Sequence, residues 1–193
     1  MFSPAAVVSD LWLIWVLGWL GASVWTAKTV ARQSPASQLA YAIFIWIGAA
    51  LLFFHLTLVA PFQVDFLPNW RWIAWAGVGL VFLGLGFSGW ARFYLGRLWS
   101  GAVTLKAEHV IVRSGPYAMT RHPIYTGLLL ALIGTALVRG TIASLLGVAS
   151  IAIGIVIKIR QEEGLLIEHF GEGYRAYQSE VPALVPRPRR TEV

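Results

Sequence analysis

Three long apolar stretches, Leu11–Ala27, Leu39–Ala60 and Trp72–Trp90, constrain this chain more than any other feature. They are bounded by Asp10 and Lys28, by Pro61, and by Arg71 and Arg92. Each is close to the ~20 residues with which a helix crosses a bilayer. Two shorter stretches, Ile124–Val138 and Thr141–Ile157, flank Arg139-Gly140. One helix through both would be about 50 Å long at 1.5 Å per residue. The charged Arg–Gly step favours a hairpin instead, which gives five crossings. Three crossings with a half-inserted hairpin is the alternative. The 193 residues are 58% apolar and 12% charged, whereas a soluble domain is about 45–50% apolar and 25% charged. A soluble fold could not hide that surplus. The expected fold is therefore all-α and integral to the membrane, with about five transmembrane helices, the last two a hairpin. Only Asp10 and no basic run precedes the first span, so that span does not read as a cleaved signal peptide.

Charge sets the expected orientation. With five crossings, Arg71 and Arg139 fall on one face, and the other thirteen of the 15 Lys and Arg fall on the opposite one. Basic loops stay cytosolic. The N-terminus is thus expected outside, with the 91–123 loop and the C-terminal tail in the cytosol. The net charge of +6 belongs to these loops, which makes nucleic acid an unexpected partner.

Several features carry bland readings. Trp12, Trp15 and Trp19 share a helical face and suit packing or interfacial anchoring. Gly84, Gly86 and Gly89 suggest a small-residue face on the third span. Cysteine is absent, which excludes disulfides, zinc–thiolate sites and a thiol nucleophile. The histidines, at 55, 109, 122 and 169, lack tight ligand spacing, so no metal is expected. His55 lies within an apolar span and is left unassigned. Asp10 and Asp65 are the only aspartates, on the face opposite His122, which argues against a Ser–His–Asp site.

Polar chemistry concentrates on the cytosolic side. Pro123 keeps His122 out of helical geometry and suits the first position of a helix. Arg121-His122-Pro123 should therefore start the fourth span, where free N–H groups can bind an anion. Beyond the fifth span, Ile159, Leu165, Leu166 and Phe170 keep helical spacing, so that helix should leave the membrane and remain amphipathic. Glu162 and Glu163 lie just past the apolar part and oppose the helix dipole. They are either solvated, or they bind a cationic or hydroxyl-rich ligand.

The motifs Gly115-Pro-Tyr-x-x-x-Arg-His-Pro-x-Tyr-x-Gly127, Glu162-Glu-x-x-Leu-x-x-x-Phe-Gly-x-x-Tyr-x-x-Tyr177 and Val181-Pro-x-Leu-Val-Pro186 occur in order around the hairpin. With Ala91-Arg-Phe-Tyr-Leu-Gly-Arg-Leu-Trp-Ser100, they resemble the isoprenylcysteine carboxyl methyltransferase family, as its short bacterial and archaeal members do. The resemblance covers roughly residues 84–186. It implies one membrane domain over 1–193, with the first two helices in 1–70 and a catalytic core in 71–193. It further implies an integral membrane enzyme that uses S-adenosylmethionine and releases S-adenosylhomocysteine. The cofactor pocket would be cytosolic, built from the Arg-His-Pro segment, the Glu-Glu helix and the tail. A lipid-like or prenylated acceptor would enter from the bilayer.

Under that resemblance the start of the fourth helix, from Arg121, His122 and Pro123 to Tyr125, takes the cofactor carboxylate. Glu162 or Glu163 takes the ribose hydroxyls or the ammonium. Tyr117, Tyr125, Tyr174 or Tyr177 covers the adenine. Arg92 and Arg97 are the candidates for holding an acceptor carboxylate. Carboxyl O-methylation is the expected reaction. A phospholipid N-methyltransferase shares the Glu-Glu feature, and an NADPH-dependent sterol-reductase-like oxidoreductase shares features of the tail. A non-catalytic scaffold is the third alternative.

Overall fold

In the computed structural model, residues 2–25, 29–32, 34–54, 57–68, 70–99, 104–106 and 110–186 are described. His55, His109 and the tail arginines 187, 189 and 190 lie outside them. Five helices carry the apolar sequence: α1 Pro4–Ser23, α2 Pro35–Phe53, α3 Arg71–Leu95, α4 Pro123–Arg139 and α5 Ile142–Phe170. A short helix, α6, spans Glu172–Glu180. Four of the five are long and apolar enough to cross a membrane, and α4 is a shorter apolar helix. The chain is an integral, multi-pass membrane protein.

Helix ends follow local chemistry. The α1 helix starts at Pro4, seven residues before the apolar run, because the Ser3 side chain caps Ala6 N–H and Pro4 occupies the first turn. Asp10 therefore lies inside α1. Gly140, at φ 68°, closes α4 in the left-handed region and lets Thr141 cap α5. As its amphipathic spacing required, α5 continues through Glu162 and Glu163 to Phe170. A two-stranded antiparallel pairing of β1, Thr29–Arg32, with β2, Thr104–Lys106, ties the α1–α2 connection to the α3–α4 connection. Nothing in those short segments announced it.

Although α4 and α5 are joined by a tight turn, each packs more extensively on an earlier helix, α4 on α3 and α5 on α2. Both pairs are antiparallel and use small residues at a seven-residue spacing. A Cβ on Gly77 would sit 2.6 Å from Gly134 O, and one on Gly84 would sit 2.5 Å from Gly127 O. In the second pair, a Cβ on Gly48 would meet Gly147 O at 2.5 Å, and one on Gly154 would meet Tyr41 O at 2.9 Å. Backbones that touch this closely gain packing that lipid cannot supply.

The small-residue face of α3 is therefore Gly77, Gly84 and Ser88, not Gly84, Gly86 and Gly89. Gly86 and Gly89 have nothing within 4 Å of a built Cβ. The reason is helical geometry: two residues turn about 200°, whereas four turn about 40° past a full circle. The α1 helix lies outside the two pairs, buries only Val8, and is tied to α4 by Trp12 Nε1–H donating to Thr135 Oγ1 at 3.0 Å.

Candidate active site

The α4 N-terminus, the C-terminal part of α5 and the tail meet at one place. Pro123 keeps His122 out of helical geometry, at φ −125° and ψ 60°. The backbone N–H of Arg121 donates to Pro182 O at 2.9 Å, and that of His122 donates to Ala183 O at 3.0 Å. Thr126 Oγ1 donates to Leu184 O at 2.7 Å. The tail thus occupies the first donors of the expected anion site, and Pro123 has none to offer.

Adjacent on α5, Glu162 and Glu163 point about 100° apart and do different work. Glu163 Oε1 accepts from Arg121 Nε at 2.8 Å and from His122 Nε2 at 3.0 Å. Its Oε2 accepts from Gln178 Nε2 at 2.9 Å. Arg121 also donates to Gln178 O at 3.1 Å and to Val181 O. This network binds α4, α5, α6 and the tail. Glu162 faces a cavity instead, where Tyr125 Oη donates to it at 2.6 Å and His122 Nδ1 lies 3.6 Å away.

That cavity has a volume of about 410 Å³. Its polar part is lined by Arg121, His122, Lys158, Glu162, Tyr174 and Tyr177, with Tyr117 and Tyr125 also on its wall. The Lys158 ammonium sits 5.2 Å from the Tyr41 ring and 5.5 Å from the Tyr125 ring. Tyr177 Oη donates to Tyr117 O at 2.6 Å, and the Arg113 guanidinium lies 5.4 Å over the Tyr177 ring. Burial pushes the Tyr177 hydroxyl up to about 12. Burial raises Tyr117 and Tyr174 as well. All three phenols therefore remain protonated donors across the neutral range.

The apolar part is lined by Trp15 and Trp19 of α1, by Leu95 at the end of α3, and by Leu98 and Trp99 just beyond it. Trp15 and Trp19 stack at 4.4 Å, and Trp19 meets Trp99 edge-on at 5.6 Å. The tryptophan stripe of α1 is thus a cavity wall as well as a packing face. Arg92 is 3% exposed and does not line the cavity. It donates to Ala22 O at 2.5 Å and Gly96 O at 2.8 Å, and lies 4.5 Å over Trp99. Arg97 is exposed on the turn that follows. Of the other expected site residues, Pro123 and Glu163 stand behind the wall, and the remainder line it.

Sequence reasoning passed over Lys158, Gln178 and Trp99. Lys158 stands one turn before Glu162, a spacing that places both on one helical face. Gln178 gave no signal.

Arg92 joins Ala22 O, near the end of α1, to Gly96 O, just past α3, and so ties the tryptophan wall to the end of α3. Arg92→Leu should cost about 1.5–3 kcal/mol through the loss of hydrogen bonds from a charged donor. A lower melting temperature and faster amide exchange at residues 20–25 are the expected readouts. No change in either would leave the clamp without a role.

The isoprenylcysteine carboxyl methyltransferase (ICMT) family profile matches residues 77–168, from α3 through the Glu162-Glu163 pair. Over that segment the chain is similar to this family. A protein-S-isoprenylcysteine O-methyltransferase of Schizosaccharomyces pombe is 31% identical over 119 residues, 58% of this chain and 48% of that protein. A methanethiol S-methyltransferase of Pseudomonas deceptionensis is 40% identical over 74 residues, 38% of this chain and 28% of that protein. The chain thus spans about half, or less, of the length of these two relatives. A solved eukaryotic intramembrane Ras methyltransferase of the ICMT family shares the fold, with a TM-score of 0.52 at 24% identity. It covers 81% of this chain and 54% of that one. The family match begins within α3, so Trp15 and Trp19 of the cavity wall lie outside the matched segment.

Proposed function

We propose that this chain is a membrane methyltransferase that uses S-adenosylmethionine and acts on a lipid-like acceptor carboxylate of the isoprenylcysteine type. One observation carries the reading: a single cavity joins a polar end of opposite charges and phenols to an apolar end of stacked tryptophans. The polar end has the right chemistry for the cofactor. Glu162 accepts from hydroxyls or an ammonium, Lys158 and His122 attract a carboxylate, and Tyr117, Tyr174 and Tyr177 offer aromatic faces to an adenine. When bound, the cofactor supplies an electrophilic methyl on a sulfonium. Glu163 acts behind the wall by holding Arg121 and His122 in place.

The acceptor occupies the tryptophan end. A carboxylate is already ionised at neutral pH and needs no general base. The protein's work is to strip its water and align it. Arg97, on the turn beside Leu98 and Trp99, meets the carboxylate at the rim, and Arg92 positions Trp99. Residues 1–193 act as one domain, because α1 supplies part of the wall that 71–193 completes. The distribution of basic residues supports an N-terminus outside and a cavity on the cytosolic side.

Calorimetry on the purified chain in detergent tests the reading. S-Adenosylhomocysteine should bind with one equivalent, and NADPH should give no heat. Binding of NADPH alone would replace the reading with an oxidoreductase. A relative that bears the name of a thiol methyltransferase sets the second arm. Methyl transfer to a prenylcysteine carboxylate, and not to a small thiol, is the expected result.

A further inference from the structure

A second cavity, of about 260 Å³, lies at the other end of the bundle, where α3 begins and α4 ends. It is framed by backbone. Phe66 N–H donates to Gly140 O at 2.8 Å, Ile142 N–H donates to Val64 O at 2.9 Å, and Asp65 bridges Thr141. This frame fixes the loop holding Asp65 against the α4–α5 turn holding Arg139. Both residues line the cavity, along with Trp70. Neither forms an ion pair or a side-chain hydrogen bond with any described residue.

Two opposite charges therefore share a cavity without touching. Near a membrane surface, where the effective dielectric falls below that of water, such a separated pair favours a ligand of inverse polarity. Arg is suited to phosphate, and a tryptophan face attracts an ammonium. Trp70 stacks with Trp72 at 6.1 Å, and both are exposed, as in the aromatic belt at headgroup depth. We propose that this cavity binds the headgroup of a zwitterionic phospholipid, with its phosphate on Arg139 and its ammonium against Asp65 and Trp70. The inference is independent of the methyltransferase reading.

Thermal melting of the full chain in detergent tests it, with added phosphatidylethanolamine, phosphatidylcholine or phosphatidylglycerol of matched acyl chains. The zwitterionic lipids should raise the wild-type melting temperature by several degrees more than phosphatidylglycerol does. Asp65→Asn should erase that preference by letting phosphatidylglycerol stabilise equally. Arg139→Gln should abolish the response to all three. Asp65 is exposed, so its variant should melt like wild type without lipid and keep the test free of misfolding. Equal stabilisation of wild type by phosphatidylglycerol, or an unchanged preference in Asp65→Asn, overturns the proposal. An equal shift from soluble phosphoethanolamine overturns the membrane as its source.

Discussion

Glu163→Gln should reduce S-adenosylhomocysteine affinity by two orders of magnitude or more and release the C-terminal tail. The carboxylate receives Arg121, His122 and Gln178 at 2.8, 3.0 and 2.9 Å. Its side chain is 14% exposed and that of Arg121 is 11% exposed. An amide can satisfy Gln178, whose own amide can turn to accept. It cannot offset the charge of Arg121, which then stands largely shielded from water without its anion. Breaking such a pair from one side costs about 3–5 kcal/mol, a factor of roughly a hundred to several thousand. The loss reaches the ligand because Arg121 and His122 line the cavity, while the same Arg121 holds the carbonyls of Gln178 and Val181.

Glu162→Gln makes the informative contrast. It weakens one charged hydrogen bond, from Tyr125, worth about 1.5–3 kcal/mol, and leaves the tail in place. Calorimetry reads the first effect. Amide exchange over residues 178–186 reads the second and should rise only in the Glu163 variant. Wild-type affinity and a protected tail in both variants would return the pair to solvated surface glutamates.

The membrane helices were legible because lipid demands long apolar runs with few charges, and Arg139-Gly140 marked the one tight turn. Pro123 announced the start of α4 through its fixed φ and missing N–H. The site was legible only as motifs in order. Spacing alone could not place Glu163 on Arg121, because the two lie 42 residues apart and meet only when α5 packs back toward the start of α4. Tail carbonyls on the Arg121 and His122 amides are equally non-local. In the sequence Arg92 reads as a candidate for holding an acceptor carboxylate. Its guanidinium instead donates to a carbonyl 70 residues away, a partner that no local pattern encodes.

The glycines show the same limit and supply the sharpest test of the packing. Gly84→Val or Gly127→Val should prevent assembly of the fold, whereas Gly86→Val should be tolerated. A Cβ on Gly84 would lie 2.5 Å from Gly127 O and 2.6 Å from Ala131 N, both backbone atoms that cannot swing aside. Overpacking of this kind costs about 1–3 kcal/mol where side chains can yield, and more where backbone must move. A β-branched residue adds two methyl groups to the clash. Gly86 is exposed and meets nothing, so its substitution should stay within about 0.5 kcal/mol. Because α3 and α4 are in contact from Gly77–Gly134 to Gly84–Gly127, moving them apart displaces the start of α4. The displacement carries His122, Tyr125 and the floor of the cavity with it. Melting temperature and monodisperse yield in detergent should therefore fall together with S-adenosylhomocysteine binding at Gly84 and Gly127, and stay near wild type at Gly86. Loss at Gly86 equal to that at Gly84 would mean that α3 has a second close partner on its lipid-facing side, and that the antiparallel α3–α4 pair is not what sets the geometry of the site.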